Sequence, residues 1–125
     1  MNNTFLINDF YTVESTQTED NKITATILLN QQHAIFKGHF EQMPVVPGVC
    51  QTQMIKELLQ QTTHKNLSLA KGDNIKFTGM IVPTQHPKIQ LEINYKSLEN
   101  SYQTEAKLFS ENTTFTKFKG EFNFI

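Results

Sequence analysis

Residues 33–57, HAIFKGHFEQMPVVPGVCQTQMIKE, decide how the rest of this chain is read. Gly38, Pro44, Pro47 and Gly48 punctuate the stretch as a shaped loop rather than a continuous strand. Its second half has helical character. Proline suits a first helical turn, where its missing N–H would have had no acceptor. Steps of about 100° from Cys50 lay Cys50, Met54, Ile55, Leu58 and Leu59 along one broad apolar arc. Gln53, Lys56, Glu57 and Gln60 are assigned to an opposite polar strip, with Val49 between. A helix is predicted from Pro47 or Gly48 to about Thr63, entered from a loop that carries His39.

The segments on either side read mostly as strands. Residues 5–13, FLINDFYTV, are rich in β-branched and aromatic types and suggest a first strand or its approach. The polar run Glu14 to Asn21 reads as a loop. Lys22 to Asn30 alternates, with Ile23, Ala25, Ile27 and Leu29 on one face, the period of a half-buried strand. After a polar break at His64–Asn66, LSLA and IKFTGMIV suggest strand segments around a turn at Lys71–Asn74. Lys88 to Lys96 alternates again through Ile89, Leu91, Ile93 and Tyr95. Tyr102–Phe109 and Phe115–Phe124 pair as a closing hairpin, with a bulge near Thr116–Lys117 to bring Phe115 into phase. One helix against an antiparallel sheet is an α+β arrangement. At 125 residues the expectation is a single domain, 1–125.

Composition narrows the function. A net charge of −1 gives no case for nucleic acid or an anionic membrane surface. All 11 basic residues are lysine, so no arginine fork is on offer for phosphate. No apolar run approaches the roughly 20 residues a membrane span needs. The start, MNNTFLINDFYTV, lacks the basic and apolar regions of a secretion signal. A single cysteine, Cys50, cannot form an intramolecular disulfide. A reduced, cytoplasmic setting is the expectation. Cys50 lies on the apolar arc and reads as a small buried hydrophobe rather than a nucleophile. His33 reads as a strand-end or loop residue rather than a second base, the scattered His64 and His86 need no function, and no metal or cofactor is implied.

Gly38-His39-Phe40, then Pro44, then Pro47-Gly48-Val49 at the head of a helix, resembles the signature of bacterial (3R)-3-hydroxyacyl-[acyl-carrier-protein] dehydratases. Ile75-Lys76-Phe77 followed by Val82-Pro83 is similar to that family's second, weaker landmark. The resemblance implies a hot-dog fold: one long central helix wrapped by a curved antiparallel sheet of about five to six strands, working as a homodimer or an oligomer of dimers. It implies an active site at the dimer interface. There His39 would act on the C2 proton of an acyl thioester, and the first helical N–H groups, at Gly48 and Val49, would hold the thioester carbonyl. Phe40 and Pro47 would complete the substrate-binding set. Each role has a physical basis. Imidazole titrates near neutral pH. Helix-start N–H groups and the helix dipole favour a developing enolate oxygen.

One position departs from that pattern. The family's helical carboxylate, from the other subunit, falls at position 53, and this chain has Gln53. An amide can hydrogen-bond a hydroxyl or a water but cannot supply a proton. Glu57, one turn and about 5.4 Å further on, is a secondary candidate, expected to be a solvated or interface carboxylate. Milder departures are Glu41 in place of a proline, and Pro83-Thr84-Gln85 in place of a Pro-Gly-Asp turn.

The resemblance therefore implies an enzyme that eliminates water from 3-hydroxyacyl thioesters in fatty-acid or polyene-type lipid or pigment biosynthesis, with acyl carrier protein as partner. Lys37 or Lys76 would be carrier contacts. The alternative is an acyl-thioester-binding hot-dog subunit that depends on an active homologue in a heterodimer. An acyl thioesterase is the third and least favoured reading.

Overall fold

The computed structural model describes residues 6–36 and 45–125. Lys37 to Pro44, with His39 and Phe40, lie outside the described residues. Among the described residues the elements run β1 (Tyr11–Glu19), β2 (Lys22–Leu29), a 3₁₀ turn (Ala34–Phe36), α1 (Gly48–Thr63), β3 (Leu67–Phe77), β4 (Lys88–Ser97), β5 (Ser101–Ser110) and β6 (Thr113–Phe124). The strands form one antiparallel sheet in the order β1-β2-β4-β5-β6-β3. This is the hot-dog arrangement that the sequence implied.

The alternating strands β2 and β4 present Ile23, Ala25, Ile27, Ile89, Leu91 and Ile93 to the core, all essentially inaccessible. Against them α1 packs Cys50, Met54, Ile55, Leu58 and Leu59. The hydrophobic effect, at about 25 cal/mol per Å² of buried apolar surface, fixes which side of α1 faces the sheet. The helix ends at His64, whose left-handed backbone (φ 59°) returns its N–H to the carbonyl of Gln60. No described helix is long and apolar enough to cross a membrane.

Two loop expectations are corrected. Glu14 to Glu19 continue β1 instead of forming a loop, with a bulge between Val13 and Ser15 and the turn delayed to Asp20–Asn21. As an edge strand, β1 takes its backbone partners from β2 and leaves polar side chains in water, so polarity does not forbid it. Lys71–Asn74 is no turn either. β3 runs unbroken through it, absorbing the extra residues as bulges between Leu69 and Lys71 and between Gly72 and Asn74. The bulge brings the Lys71 carbonyl so close to Gly120 on β6 that a Cβ there would sit 2.4 Å from it. Thr78–Val82, in contrast, leaves the sheet. The bulge expected at Thr116–Lys117 sits one residue earlier: Leu108 pairs with Thr116 and Phe109 with Thr114, so Phe115 is the extra residue and both it and Thr116 are buried.

Candidate active site

The head of α1 is built by backbone and by one buried amide. Pro47 precedes the helix with extended geometry (φ −62°, ψ 150°), and its carbonyl accepts the N–H groups of Cys50 and Gln51. The N–H groups of Gly48 and Val49 therefore have no helical acceptor. Gln51 locks this start in place. Its Nε2 donates to the Val46 carbonyl at 3.1 Å, its Oε1 accepts from the Thr116 hydroxyl, and Val46 N–H donates to Ile81. Gly48 is tightly covered: a Cβ would lie 2.7 Å from the Phe77 ring. In this chain that space is held by Phe77, at the end of β3.

Val49, Thr52, Gln53 and Lys56 line one side of a cavity of about 270 Å³, closed on the other side by residues that include Leu69 and Ile125. Val49 is 77 % exposed. With Leu69 and Phe77, also exposed, it lies beside β3, an eleven-residue strand at the open edge of the sheet. Of the expected site residues, Val49 and Gln53 thus line one cavity, with Gly48 at the start of the same helix under Phe77 and Pro47 just before it.

Glu57 is not solvated. It is 1 % exposed, on the core side of α1, which corrects both its place on the polar strip and its expected solvation. Its carboxylate accepts four hydrogen bonds. Oε2 takes Leu6 N–H and the Gln53 Nε2 amide, each at 2.8 Å; Oε1 takes Ile7 N–H at 3.0 Å and the Tyr11 hydroxyl at 2.9 Å. A carboxylate has about four lone-pair sites, so the group is saturated. Burial, then the charge of Glu57 and its hydrogen bond, push the Tyr11 phenol well above the ordinary 10.0, which keeps it a donor. Burial, then Glu57, also push the Cys50 thiol up from 9.0, so Cys50 is an inert buried thiol.

The N-terminal segment that holds Glu57 also contacts the residues around the 3₁₀ turn. His33 Nε2 pairs with Asp9 at 3.0 Å, and Phe10 packs on the rings of His33 and Phe36, just before the segment that carries His39. His33 is thus a loop residue with structural contacts. His86 stacks edgewise on Phe115. Lys76 lies on the outer face of the sheet, opposite Lys117, which is itself opposite Lys107. They line a second, shallow cavity of about 310 Å³ with Glu92 and Glu105. Lys56 is the described lysine beside the helical cavity. Tyr11 and Gln51 were missed by sequence reasoning. Gln51 had a signal, as a polar residue next to Cys50 on the apolar side.

Residues 15–117 match the family model of the ApeI-like proteins, described as ApeI dehydratase. No curated protein sequence matches. Among solved structures, the dehydratase heterocomplex ApeI:P from Xenorhabdus doucetiae aligns with a TM-score of 0.71 at 18 % identity, over 89 % of this chain and 96 % of that one. A hypothetical thioesterase with coenzyme A from Streptococcus pneumoniae TIGR4 aligns with a TM-score of 0.64 at 7 % identity, over 92 % of this chain and 85 % of that one. An uncharacterized protein from Erwinia carotovora subsp. atroseptica gives 0.59 at 19 % identity, over 91 % and 92 %. At these identities the structural likeness speaks for the fold.

Proposed function

The chain belongs to the ApeI-like family of dehydratases, and from that premise we propose that it removes water from 3-hydroxyacyl thioesters presented by acyl carrier protein in a fatty-acid or polyene-type pathway. The observation that carries this reading is the head of α1. Two N–H groups without helical acceptors, at Gly48 and Val49, stand after the segment that bears His39 and beside a cavity lined by Gln53. His39 takes the C2 proton. The negative charge that develops on the thioester oxygen is met by the two N–H groups and the helix dipole. The electron pair forms the C2=C3 double bond as hydroxide leaves C3, and the imidazolium returns the proton to it, giving water. This one-base route needs no helical acid, which suits a helix with Gln53 at the expected acid position and a fully engaged Glu57. Appearance of the enoyl thioester, followed by absorbance, tests it with wild type and His39→Ala; equal rates remove His39 from the mechanism.

A second reading is favoured by one observation. Glu57 is the only acid in α1, and all its acceptor sites are in use. A partner chain paired along β3 would then contribute a carboxylate, as a heterodimer with an active homologue. The heterocomplex of the Xenorhabdus dehydratase supports such an assembly. Full turnover by the purified chain alone excludes it. The same engaged Glu57 disfavours thioester hydrolysis through a helical carboxylate.

A further inference from the structure

Gln53 and Glu57 stand one turn apart on α1, and their hydrogen bond has a polarity. Glu57 can only accept. Three of its four partners, Leu6 N–H, Ile7 N–H and the Tyr11 phenol, are donors held from the N-terminal segment. The fourth site therefore takes the NH₂ end of Gln53, at 2.8 Å. Reversing the amide would set its carbonyl oxygen against a carboxylate oxygen, two acceptors with no proton between them. The carbonyl oxygen of Gln53 is thus the end left over. It accepts no bond from any described residue, and Gln53 lines the cavity beside α1.

We propose that Glu57 is a positioning residue that holds Gln53 with its carbonyl oxygen free as an acceptor, so that this cavity selects acyl chains bearing a hydroxyl donor. The inference rests on reading the cavity as the acyl-thioester site. It assigns Gln53 the task of gripping the substrate hydroxyl by its proton rather than by its oxygen. It also gives the 6–11 segment a purpose at the site, since three donors from that segment occupy Glu57 and leave one place for Gln53.

The test is binding by calorimetry, using two non-reactive pantetheine amides, one with a 3-hydroxyacyl chain and one with the same chain lacking the hydroxyl. Wild type should favour the hydroxyl compound by about fivefold to tenfold, the worth of one neutral hydrogen bond. Gln53→Met should bring that ratio to about one. Glu57→Gln should do the same, and the double variant should be no worse than either single one. Where Glu57→Gln does not fold, carbon-13 labelling of the glutamine side chains in wild type reads the polarity directly. The Gln53 carbonyl carbon should shift with the hydroxyl compound and not with the deoxy one. A wild-type ratio of one, an unchanged ratio in Gln53→Met, or a shift confined to the amide NH₂ overturns the proposal. Selective binding without any dehydration would sink the dehydratase reading and leave this one standing; dehydration with a ratio of one does the reverse.

Discussion

The phenol of Tyr11 donates a hydrogen bond to Oε1 of Glu57 at 2.9 Å, closing a distance of 46 residues in sequence at the centre of α1. This contact ties the first strand to the helix that carries the candidate site, and both groups are buried.

Tyr11→Phe removes that donor and leaves the ring. The expected loss is about 1.5–3 kcal/mol at neutral pH, the range for a hydrogen bond to a charged acceptor. The pH dependence follows from the raised phenol. Above pH 10 the unfolded chain loses the Tyr11 proton while the folded chain keeps it, so folding becomes less favourable as pH rises further. Tyr11→Phe should therefore melt lower at pH 7 yet fall less steeply above pH 10. Thermal denaturation followed by circular dichroism across pH 7–11 checks both; parallel curves would contradict the assignment.

Gln53→Glu is the obvious way to reinstate a helical acid, and the structure predicts that it will not act as a simple restoration. The new carboxyl would face Glu57 across the 2.8 Å contact now made by the amide. Two carboxylates at that distance cannot both stay ionised, so they share a proton. The variant should lose about 1–3 kcal/mol at pH 7.5 and regain much of it at pH 5.5. Equal stability deficits at the two pH values would argue that the side chains had moved apart.

Two glycines should respond differently to alanine. At Gly120 the added methyl meets the Lys71 carbonyl at 2.4 Å, a backbone atom locked in the β3–β6 ladder. At Gly48 it meets the outer atoms of the half-exposed Phe77 ring at 2.7 Å, and a ring can turn away. Gly120→Ala should cost about 2 kcal/mol or more, and Gly48→Ala under about 1 kcal/mol. Urea denaturation of both variants ranks them.

Leu69→Lys addresses assembly. Leu69 is 42 % exposed on the open edge strand β3, beside Val49 and the cavity. If copies or partners pair along β3, a charge there should weaken association at least tenfold, as seen by sedimentation velocity over a dilution series. Unchanged association would move the interface elsewhere.

Much of this arrangement was legible in the sequence for a local reason. In β2 and β4 every second residue is apolar, and in α1 the Cys50, Met54, Leu58 series repeats at helical spacing, so near neighbours alone define the buried face. The misread segments depended on distant partners. Glu14–Glu19 is a strand because β2 lies beside it, and Lys71–Asn74 stays extended because β6 tolerates the bulges through Gly120. Glu57 is the instructive case. Seven residues after Cys50, it returns to nearly the same helical angle, so spacing alone placed it on the buried face. Its charge argued for water, and the donors that overrule that argument sit about 50 residues earlier. The landmark around Gly38-His39-Phe40 was readable only as a resemblance, and His39 and Phe40 lie outside the described residues.

The lysines on the outer face of the sheet have a consequence for how copies can meet. Lys76, Lys117 and Lys107 stand directly across from one another on β3, β6 and β5. Glu92 is shared between Lys22 and Lys107, and Glu105 is paired with Lys119, which leaves Lys76 and Lys117 without an ion-pair partner among the described residues. Like charges set opposite each other cost the sheet some stability. They also make the back of the sheet repel the back of another copy. Two sheets stacked back to back would have to bury unpaired ammonium groups against each other.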